Sequence, residues 1–230
     1  MRNPLSETIV QIEPSGIRKF FDIVSEMKDA ISLGVGEPDF DTPWHIREEG
    51  IYSLEKGRTF YTSNAGLKEL KQEICRYLYR RFDVSYNPDS EVMVTVGGSE
   101  AIDVALRCMT DPGDEVLIPQ PSYVSYLPCA VMADAVPVPI ELKAENDFLL
   151  DDGILSAIQK DYDMMFLCNP NNPTGQVLNP PLLKEIVERC CDNNILLAVD
   201  ECFMEFLPLW KEYTAKSLVT RTTNLIVIDA

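Results

Sequence analysis

Histidine is almost absent from the 230-residue sequence, which contains only His45. The seven cysteines are odd in number and include no Cys-x-x-Cys pair. This composition favours neither a zinc site nor a disulfide framework, so we predict small buried thiols in a reducing cytoplasm. The amino-terminal residues lack the apolar core of a signal peptide, and no apolar run approaches the roughly 18 residues of a membrane span. A membrane partner is therefore not expected.

Basic residues are also scarce. The chain has 20 lysines and arginines against 37 aspartates and glutamates, which gives a formal net charge of −17. Nucleic acids and anionic membranes bind basic surfaces, so neither is expected as the main partner. An anionic small ligand stays compatible with this charge, because a local site can be positive while the whole chain is negative.

Two nucleotide-binding motifs are missing as well. The sequence contains no Gly-x-Gly-x-x-Gly segment and no Gly-x-x-x-x-Gly-Lys-Ser/Thr segment. Neither a dinucleotide fingerprint nor a Walker-type phosphate loop is therefore supported. Apolar residues are plentiful: 46% hydrophobic and 25% charged residues are typical of a globular protein, and the length suffices for a sizeable core.

From residue 91 onward, short apolar runs alternate with stretches of helical period. We predict strands at 92–96, 115–118, 136–140, 164–168, 195–199 and 225–228, with helices at 99–109, 124–133, 154–160 and 182–191. Before residue 91 we predict helices at 16–27, 43–55 and 67–82, and a short strand with a Gly/Pro loop at 31–40. Continuous apolar strands suit a sheet covered on both faces, and strand–helix alternation predicts a mostly parallel α/β sheet.

The residues that follow each apolar run are the candidates for function, because ligands bind beyond the carboxyl ends of parallel strands. Gly97-Gly98-Ser99-Glu100-Ala101 follows the first run and opens a predicted helix. Glycines let a ligand approach the backbone, and a helix amino terminus offers free N–H groups to a phosphate, with the Ser99 hydroxyl beside them. An ordinary glycine turn with Ser99 as the helix cap explains the same residues.

Three further strand ends carry polar or aromatic residues. Tyr123 could offer its ring face to an aromatic ligand or could be a core tyrosine. The loop Asn169-Pro170-Asn171-Asn172-Pro173-Thr174-Gly175 could aim an amide at a ligand, although a plain connection is the alternative. Asp200 ends an apolar strand, where a carboxylate needs a partner, and a helix cap or an ion pair would serve as well as a ligand.

Six segments, in this order along the chain, resemble the fold type I pyridoxal-phosphate (PLP) enzymes and in particular the class I/II aminotransferases. They are Gly34-Val35-Gly36-Glu37-Pro38-Asp39-Phe40, Tyr61-Thr62-Ser63-Asn64-Ala65-Gly66-Leu67, Gly97-Gly98-Ser99-Glu100-Ala101, Pro121-Ser122-Tyr123, the asparagine loop at 169–175, and Asp200-Glu201. Each segment is weak alone, whereas six in family order are specific. The resemblance implies a three-layer α/β/α large domain with a mostly parallel sheet.

The resemblance also implies PLP as the cofactor and gives several residues a role. Asp200 would face the pyridine nitrogen and favour the protonated ring, which is the better electron sink. Asn172 would donate to the phenolic oxygen of the ring, and Tyr123 would stack on the ring face. The phosphate would be held, mainly through backbone N–H groups, by Gly98, Ser99 and Glu100.

Other implied residues concern the partners of the chain. Tyr61 resembles the tyrosine that reaches the phosphate of the partner subunit, which implies a homodimer with shared sites. Val35 and Gly36 resemble the loop that lines the substrate carboxylate. The implied reaction transfers an amino group between an amino acid and a 2-oxo acid.

Two positions depart from the family pattern. Phe203 stands where the family commonly has a tyrosine, and it has no hydroxyl to assist the phenolic oxygen. Together with Phe206 it looks closer to the branch of histidinol-phosphate aminotransferase and threonine-phosphate decarboxylase. Glu100 places a carboxylate at the phosphate turn, and we expect this side chain to point away so that only its N–H contributes.

The family's Schiff-base lysine follows the strand that residues 224–229 resemble, and the sequence stops at Ala230. The resemblance therefore implies no catalytic residue within the chain, whose lysines, such as Lys216, we expect mostly on solvated helix faces. We expect residues 1–43 to form an amino-terminal arm with the substrate loop, and residues 44–230 to form a partial PLP-binding domain without the carboxyl-terminal small domain.

The expected protein is thus an amino-terminal part of a PLP-dependent aminotransferase that is inactive alone. A decarboxylase or a carbon–sulfur lyase of the same fold is one alternative. A non-catalytic, lysine-less remnant that serves as an interaction subunit is the other.

Overall fold

The computed structural model describes residues 4–14, 16, 20, 23–24, 26–27, 29, 31, 36, 39–158 and 162–229. The predicted helix at 16–27 and the predicted strand and loop at 31–40 lie largely outside these residues. The strand-end candidates from residue 97 onward all lie within them.

Five parallel strands form the centre of the described structure. They are β1 (Glu115–Gln120), β2 (Val136–Glu141), β3 (Met164–Cys168), β4 (Leu196–Asp200) and β5 (Leu225–Ile228). Their order in the sheet is β2-β1-β3-β4-β5, and each neighbouring pair is parallel. The register places Cys168 opposite Asp200, so β3 and β4 end side by side. The predicted α/β sheet is confirmed.

Helices precede and connect the strands. Those described are α1 (Glu7–Gln11), α2 (Trp44–Glu55), α3 (Lys68–Phe82), α4 (Gly98–Met109), α5 (Tyr126–Met132), α6 (Asp152–Ala157), α7 (Pro180–Asp192) and α8 (Trp210–Tyr213). Short 3₁₀ turns lie at Ala144–Asn146, Met204–Phe206 and Ala215–Arg221. Across the described residues, no helix combines the length and the apolar character needed to cross a membrane.

Local sequence explains where two of these helices begin. Asn179 caps α7, because its side-chain oxygen accepts the N–H of Leu182 at 2.8 Å and Pro180 occupies the first helical position. Asp151 caps α6 in the same way, accepting the N–H of Gly153 at 2.8 Å. Both helices pack on the same face of the sheet, so these caps fix where the chain returns to it.

Each face of the sheet has its own apolar core, because alternate residues of a strand point to opposite faces. One core joins α4 and α5 to the strands, and its large members include Ile102, Leu106, Ile118, Tyr126, Met164 and Phe166. The other core joins α6 and α7 to the strands, and its large members include Leu117, Met165, Leu167, Ile186, Ile195 and Leu197. This is the expected three-layer α/β/α arrangement.

Residues 92–96 do not form a strand, so that prediction is wrong. The N–H of Val94 donates to the Ala65 carbonyl at 3.0 Å, and the N–H of Val96 donates to the Glu100 carboxylate. An apolar run forms a strand only where a neighbouring strand completes its hydrogen bonds, and none lies beside it in the described part of the chain. A groove of about 1030 Å³ is lined by this run on one side and by β5 on the other.

Residues 39–97 are largely exposed. Helix α2 has no buried residue, and in α3 only Lys71 is buried. Many of the exposed side chains are nevertheless apolar or aromatic: Phe40, Trp44, Ile46, Ile51, Tyr52, Leu54, Phe60, Tyr61, Leu67 and Leu70. This region therefore presents an apolar surface that the described chain does not cover.

Candidate functional site

A cavity of about 240 Å³ lies at the carboxyl ends of β3 and β4, beside the amino terminus of α4. The sequence-predicted Gly98, Ser99, Tyr123, Asn172 and Asp200 all line it. The other lining residues are Val96, Gly97, Ile102, Cys168, Cys202 and Phe203. Candidates that are up to about a hundred positions apart in sequence thus meet in one place.

Asp200 is the buried charge of this cavity. It ends β4, is 5% exposed, and accepts two hydrogen bonds, from the Tyr126 hydroxyl at 2.6 Å and from the Cys202 N–H at 3.1 Å. A buried carboxylate is costly unless such partners satisfy it. Each carboxylate oxygen has one fixed donor, so the group is held in one orientation as it meets the cavity.

Tyr126 is the functional residue that the sequence analysis did not single out. It is fully buried at the start of α5, stacks on Phe166 with ring centroids 4.9 Å apart, and meets the ring of Tyr123 edge-on at 5.6 Å. Burial, followed by the nearby Cys168 and Asp200, raises the pKa of its hydroxyl, so Tyr126 keeps its proton and donates it. In sequence it resembles any core tyrosine, and only its place three residues after Tyr123 hints at a role.

The amino terminus of α4 supplies donors to the cavity. Gly97 precedes the helix with φ 82°, a backbone conformation that suits glycine. Its carbonyl accepts the N–H of Ala101 at 3.4 Å. The N–H groups of the first three helical residues, Gly98, Ser99 and Glu100, have no acceptor in the described part of the chain.

The side chains beside these donors divide into two groups. The Ser99 hydroxyl lies 2.9 Å from the Tyr123 hydroxyl and 3.4 Å from that of Ser125, which makes a small polar cluster at the cavity. The Glu100 carboxylate instead accepts the Val96 N–H and is not part of the cavity lining. The helix start therefore offers N–H and O–H donors without an adjacent carboxylate in the cavity wall.

Two buried asparagines shape the loop after β3. Asn169 is fully buried, and its Oδ1 accepts a backbone N–H at 2.9 Å. Asn171 accepts the N–H and the hydroxyl of Thr174 at 3.1 and 2.8 Å, and its Nδ2 donates to the Pro121 carbonyl at 3.2 Å. Asn172 follows this anchor and lines the cavity. The loop is thus a built support for Asn172, the asparagine that the family resemblance had already distinguished from Asn169 and Asn171.

Two further residues implied by the resemblance, Tyr61 and Gly36, are described and do not line the cavity. Tyr61 is fully exposed, and Gly36 is exposed as well. Val35 lies outside the described residues. The structure therefore joins the candidates from residue 98 onward to one another but does not bring Tyr61 or Gly36 to them.

Two lysines, Lys71 and Lys216, are buried rather than solvated, and Lys216 lies close to the strand ends. Lys216 is 6% exposed and ion-paired, so it does not lie on a solvated helix face as expected. The reason is its place in the 3₁₀ turn Ala215–Arg221, which packs against β5 and carries Lys216 to two carboxylates. None of the lysines that the structure describes is among the residues that line the cavity.

Residues 28–229 match the family described as aminotransferase class I and II. The chain belongs to this family. The Bacillus subtilis protein YugH is 44% identical over 94% of the chain, which covers 56% of that protein. The aspartate aminotransferase of Pyrococcus horikoshii is 42% identical over 88% of the chain, which covers 52% of that enzyme. The chain thus spans about half the length of the curated relatives that it matches.

A solved structure supports the same assignment. Aspartate aminotransferase from Thermus thermophilus with maleate superposes with a TM-score of 0.87 at 29% identity, over the whole of this chain and 60% of that one. Class I and II aminotransferases depend on PLP. The cavity's own groups fit that cofactor: Asp200 is a buried carboxylate for a protonated ring nitrogen, and the unpaired N–H groups of α4 suit a phosphate.

Proposed function

We propose that the cavity at the ends of β3 and β4 binds PLP, and that the chain forms the cofactor-binding part of an aminotransferase. The single observation that carries this proposal is the buried Asp200, held by Tyr126 and facing a cavity whose wall includes the free amino terminus of α4. The substrates proposed are an amino acid and a 2-oxo acid, as the family of the chain favours.

The phosphate is assigned to the start of α4. Gly98, Ser99 and Glu100 present N–H groups that lack an acceptor in the described part of the chain, and the helix dipole favours an anion there. The Ser99 hydroxyl, placed by Tyr123, is a further donor. Backbone N–H groups carry no formal charge, so this site is compatible with a chain of net charge −17.

The ring of the cofactor is assigned to the strand ends. Asp200 favours a protonated ring nitrogen, and PLP, when bound, supplies an electron sink for the bonds at the substrate α-carbon. Tyr126 keeps Asp200 oriented. Asn172 is proposed to donate to the phenolic oxygen of the ring, and Tyr123 to cover the ring face. Phe203 lines the cavity without a hydroxyl to add to that donation.

A homodimer is the second part of the proposal. Tyr61 and the apolar side chains of α2 are exposed, and a second copy of the chain would cover them. Tyr61 is proposed to reach the phosphate in the partner's site. Val35 and Gly36 are proposed to line the substrate carboxylate, with residues 1–43 as an arm and 44–230 as the large domain. A cytoplasmic location is also proposed, because the cysteines are odd in number, include no Cys-x-x-Cys pair and are all free thiols.

Titration with PLP tests the cofactor site. We expect the purified chain to bind PLP saturably in calorimetry, and Asp200→Asn to weaken binding about ten- to hundredfold, because a charge-assisted hydrogen bond contributes about 1.5–3 kcal/mol. Asp192→Asn, at the exposed end of α7, is the matched control and should bind as the parent chain does. Equal binding by Asp200→Asn and the parent would refute the assignment.

Borohydride trapping tests the absence of a lysine from the cavity wall. Because no lysine within the described residues lines the cavity, we expect reduction of the PLP complex with borohydride to leave no stoichiometric covalent adduct on the chain. Mass spectrometry of the intact chain measures this. An adduct at one lysine would show that a lysine reaches the cofactor and would contradict the proposed geometry.

A further inference from the structure

Lys216 is the centre of a buried ion cluster on the opposite face of the sheet from the cavity. Its Nζ lies 2.6 Å from Asp229 Oδ2 and 3.7 Å from Glu201 Oε2, and 4.4 Å from the ring centroid of Phe82. Asp229 follows directly after β5, and Glu201 follows directly after β4. One ammonium group therefore joins the ends of two neighbouring strands.

Glu201 is held as firmly as Asp200, its neighbour in sequence. It is fully buried and accepts the Thr214 hydroxyl and the Ala215 N–H, both at 2.5 Å. Burial raises the pKa of this carboxyl, while the bonds from Thr214 and Ala215 and the charge of Lys216 oppose that rise. Lys216 thus compensates a charge that would otherwise be costly to bury.

The cluster is mechanically connected to the cavity through three consecutive residues. On one side, the Asp200 carboxylate accepts a hydrogen bond from Tyr126. On the other, the Glu201 carboxylate accepts one from Thr214 and pairs with the Lys216 ammonium. Next along the chain, the Cys202 N–H donates back to Asp200 Oδ1 at 3.1 Å. A shift of Glu201 therefore moves the backbone that orients the Asp200 carboxylate.

Stability alone does not account for a buried ion cluster, because well-packed apolar residues often replace such clusters at no loss. We propose that Lys216 is a positioning residue for the cofactor site: by joining Glu201 to Asp229, it fixes the turn at 200–202 and with it the orientation of Asp200. This inference rests on the proposed function of the cavity.

Replacement of Lys216 by methionine, with two readouts, tests the proposal. Lys216→Met keeps the length of the side chain and removes its charge. At a temperature where circular dichroism shows a folded chain, we expect PLP binding about tenfold weaker than the parent's. We also expect faster hydrogen–deuterium exchange of the amides at 200–203. Lys184→Met, which removes an exposed lysine paired with Glu188, is the control and should change neither.

A conservative variant separates positioning from general destabilisation. Lys216→Arg keeps the charge and should restore PLP affinity to within about threefold of the parent's, even where its melting temperature stays lower. Parent-like binding and exchange in folded Lys216→Met would overturn the proposal. If Lys216→Met does not fold, Asp229→Asn decides, since its side chain is 30% exposed and its loss leaves the Lys216–Glu201 pair. Unchanged binding and exchange in that variant would overturn the proposal as well.

The two proposals fail differently. A parent chain that binds no PLP removes the proposed function, and faster exchange in Lys216→Met would then assign Lys216 to the turn alone, which overturns its cofactor role. A parent chain that binds PLP, with binding lost in Asp200→Asn but not in folded Lys216→Met, keeps the proposed function and overturns only the role of Lys216.

Discussion

Residues 98–229 bring most of their candidate residues together around one cavity, whereas the candidate in residues 39–97, Tyr61, stays exposed and outside that cavity. Asp200 is almost inaccessible and has two hydrogen-bond donors from its own chain, while Tyr61 is fully exposed and does not line the cavity. Both are implied by the same family resemblance. The difference separates the candidates that the described chain assembles around one cavity from a candidate that it leaves apart.

The physical origin of this difference is the sheet. Parallel strands are covered on both faces and end at a common edge, so the residues that follow them are brought together whatever their separation in sequence. Helices α2 and α3 have no such frame, since only Lys71 is buried in them. Substitutions that break the frame should therefore be severe in one region and mild in the other.

The largest effect is expected from the core beneath the cavity. Phe166→Ala removes the ring on which Tyr126 stacks and leaves a cavity in a close-packed core, so the free energy of unfolding should fall by about 3–5 kcal/mol. Phe60→Ala, in which the lost ring is 87% exposed, should change it by less than about 0.5 kcal/mol. Denaturant unfolding measures both, and similar losses in the two variants would erase the contrast between the regions.

A smaller effect is expected where the exposed region is anchored. Gly66 has φ +102°, and an added Cβ would lie 2.6 Å from Val94 Cγ2, so Gly66→Ala should lower the unfolding free energy by about 2–3 kcal/mol. Gly57→Ala shares the positive φ but meets no atom within 4 Å and should lose only about 1 kcal/mol. Denaturant unfolding of the two variants measures these losses. Equal losses of unfolding free energy would mean that Val94 moves aside and that the contact between Gly66 and Val94 is loose.

The hydrogen bond to Asp200 should matter less for stability than for binding. Tyr126→Phe removes one donor from a buried carboxylate and should lower the unfolding free energy by about 1–2 kcal/mol at pH 7. Because burial raises the pKa of Tyr126, the loss should not vary between pH 6 and about 9. Tyr79→Phe, at an exposed site on α3, is the control and should leave the free energy of unfolding unchanged. A pH-dependent loss in that range would show that the hydroxyl titrates.

Much of the fold was predictable because strands that are buried in a parallel sheet have continuous apolar sequences. β1, β3 and β5 and the helices α5, α6 and α7 needed nothing beyond period and turn residues, whereas α8 was not predicted. Residues 92–96 have the same signal but form no strand, because a strand also needs a partner that completes its hydrogen bonds. Hydropathy along one segment carries no information about such a partner.

The candidate site was predictable to the extent that its residues follow strands. Asp200 and Asn172 follow strands and do meet in the cavity; Ser99 meets them there from the start of α4, although the apolar run before it forms no strand. Tyr126 and Lys216 were not found, since the first looks like a core tyrosine and the second like any helix lysine until the turn that carries it is folded. Which polar residues become buried partners depends on long-range packing that local pattern does not encode.

The smallest effect on the folded chain, and the sharpest test of the contrast, is expected at Tyr61. Tyr61→Ala should change the unfolding free energy by less than about 0.5 kcal/mol, because the side chain makes no buried contact. If a second copy supplies Tyr61 to the phosphate, PLP affinity in the parent should rise with protein concentration, and Tyr61→Ala should remove that rise. Tyr79→Ala, equally an exposed tyrosine, should keep it. Sedimentation velocity at the same concentrations identifies the dimer. If the chain is a monomer and its PLP affinity changes neither with protein concentration nor in Tyr61→Ala, one chain completes the site without Tyr61.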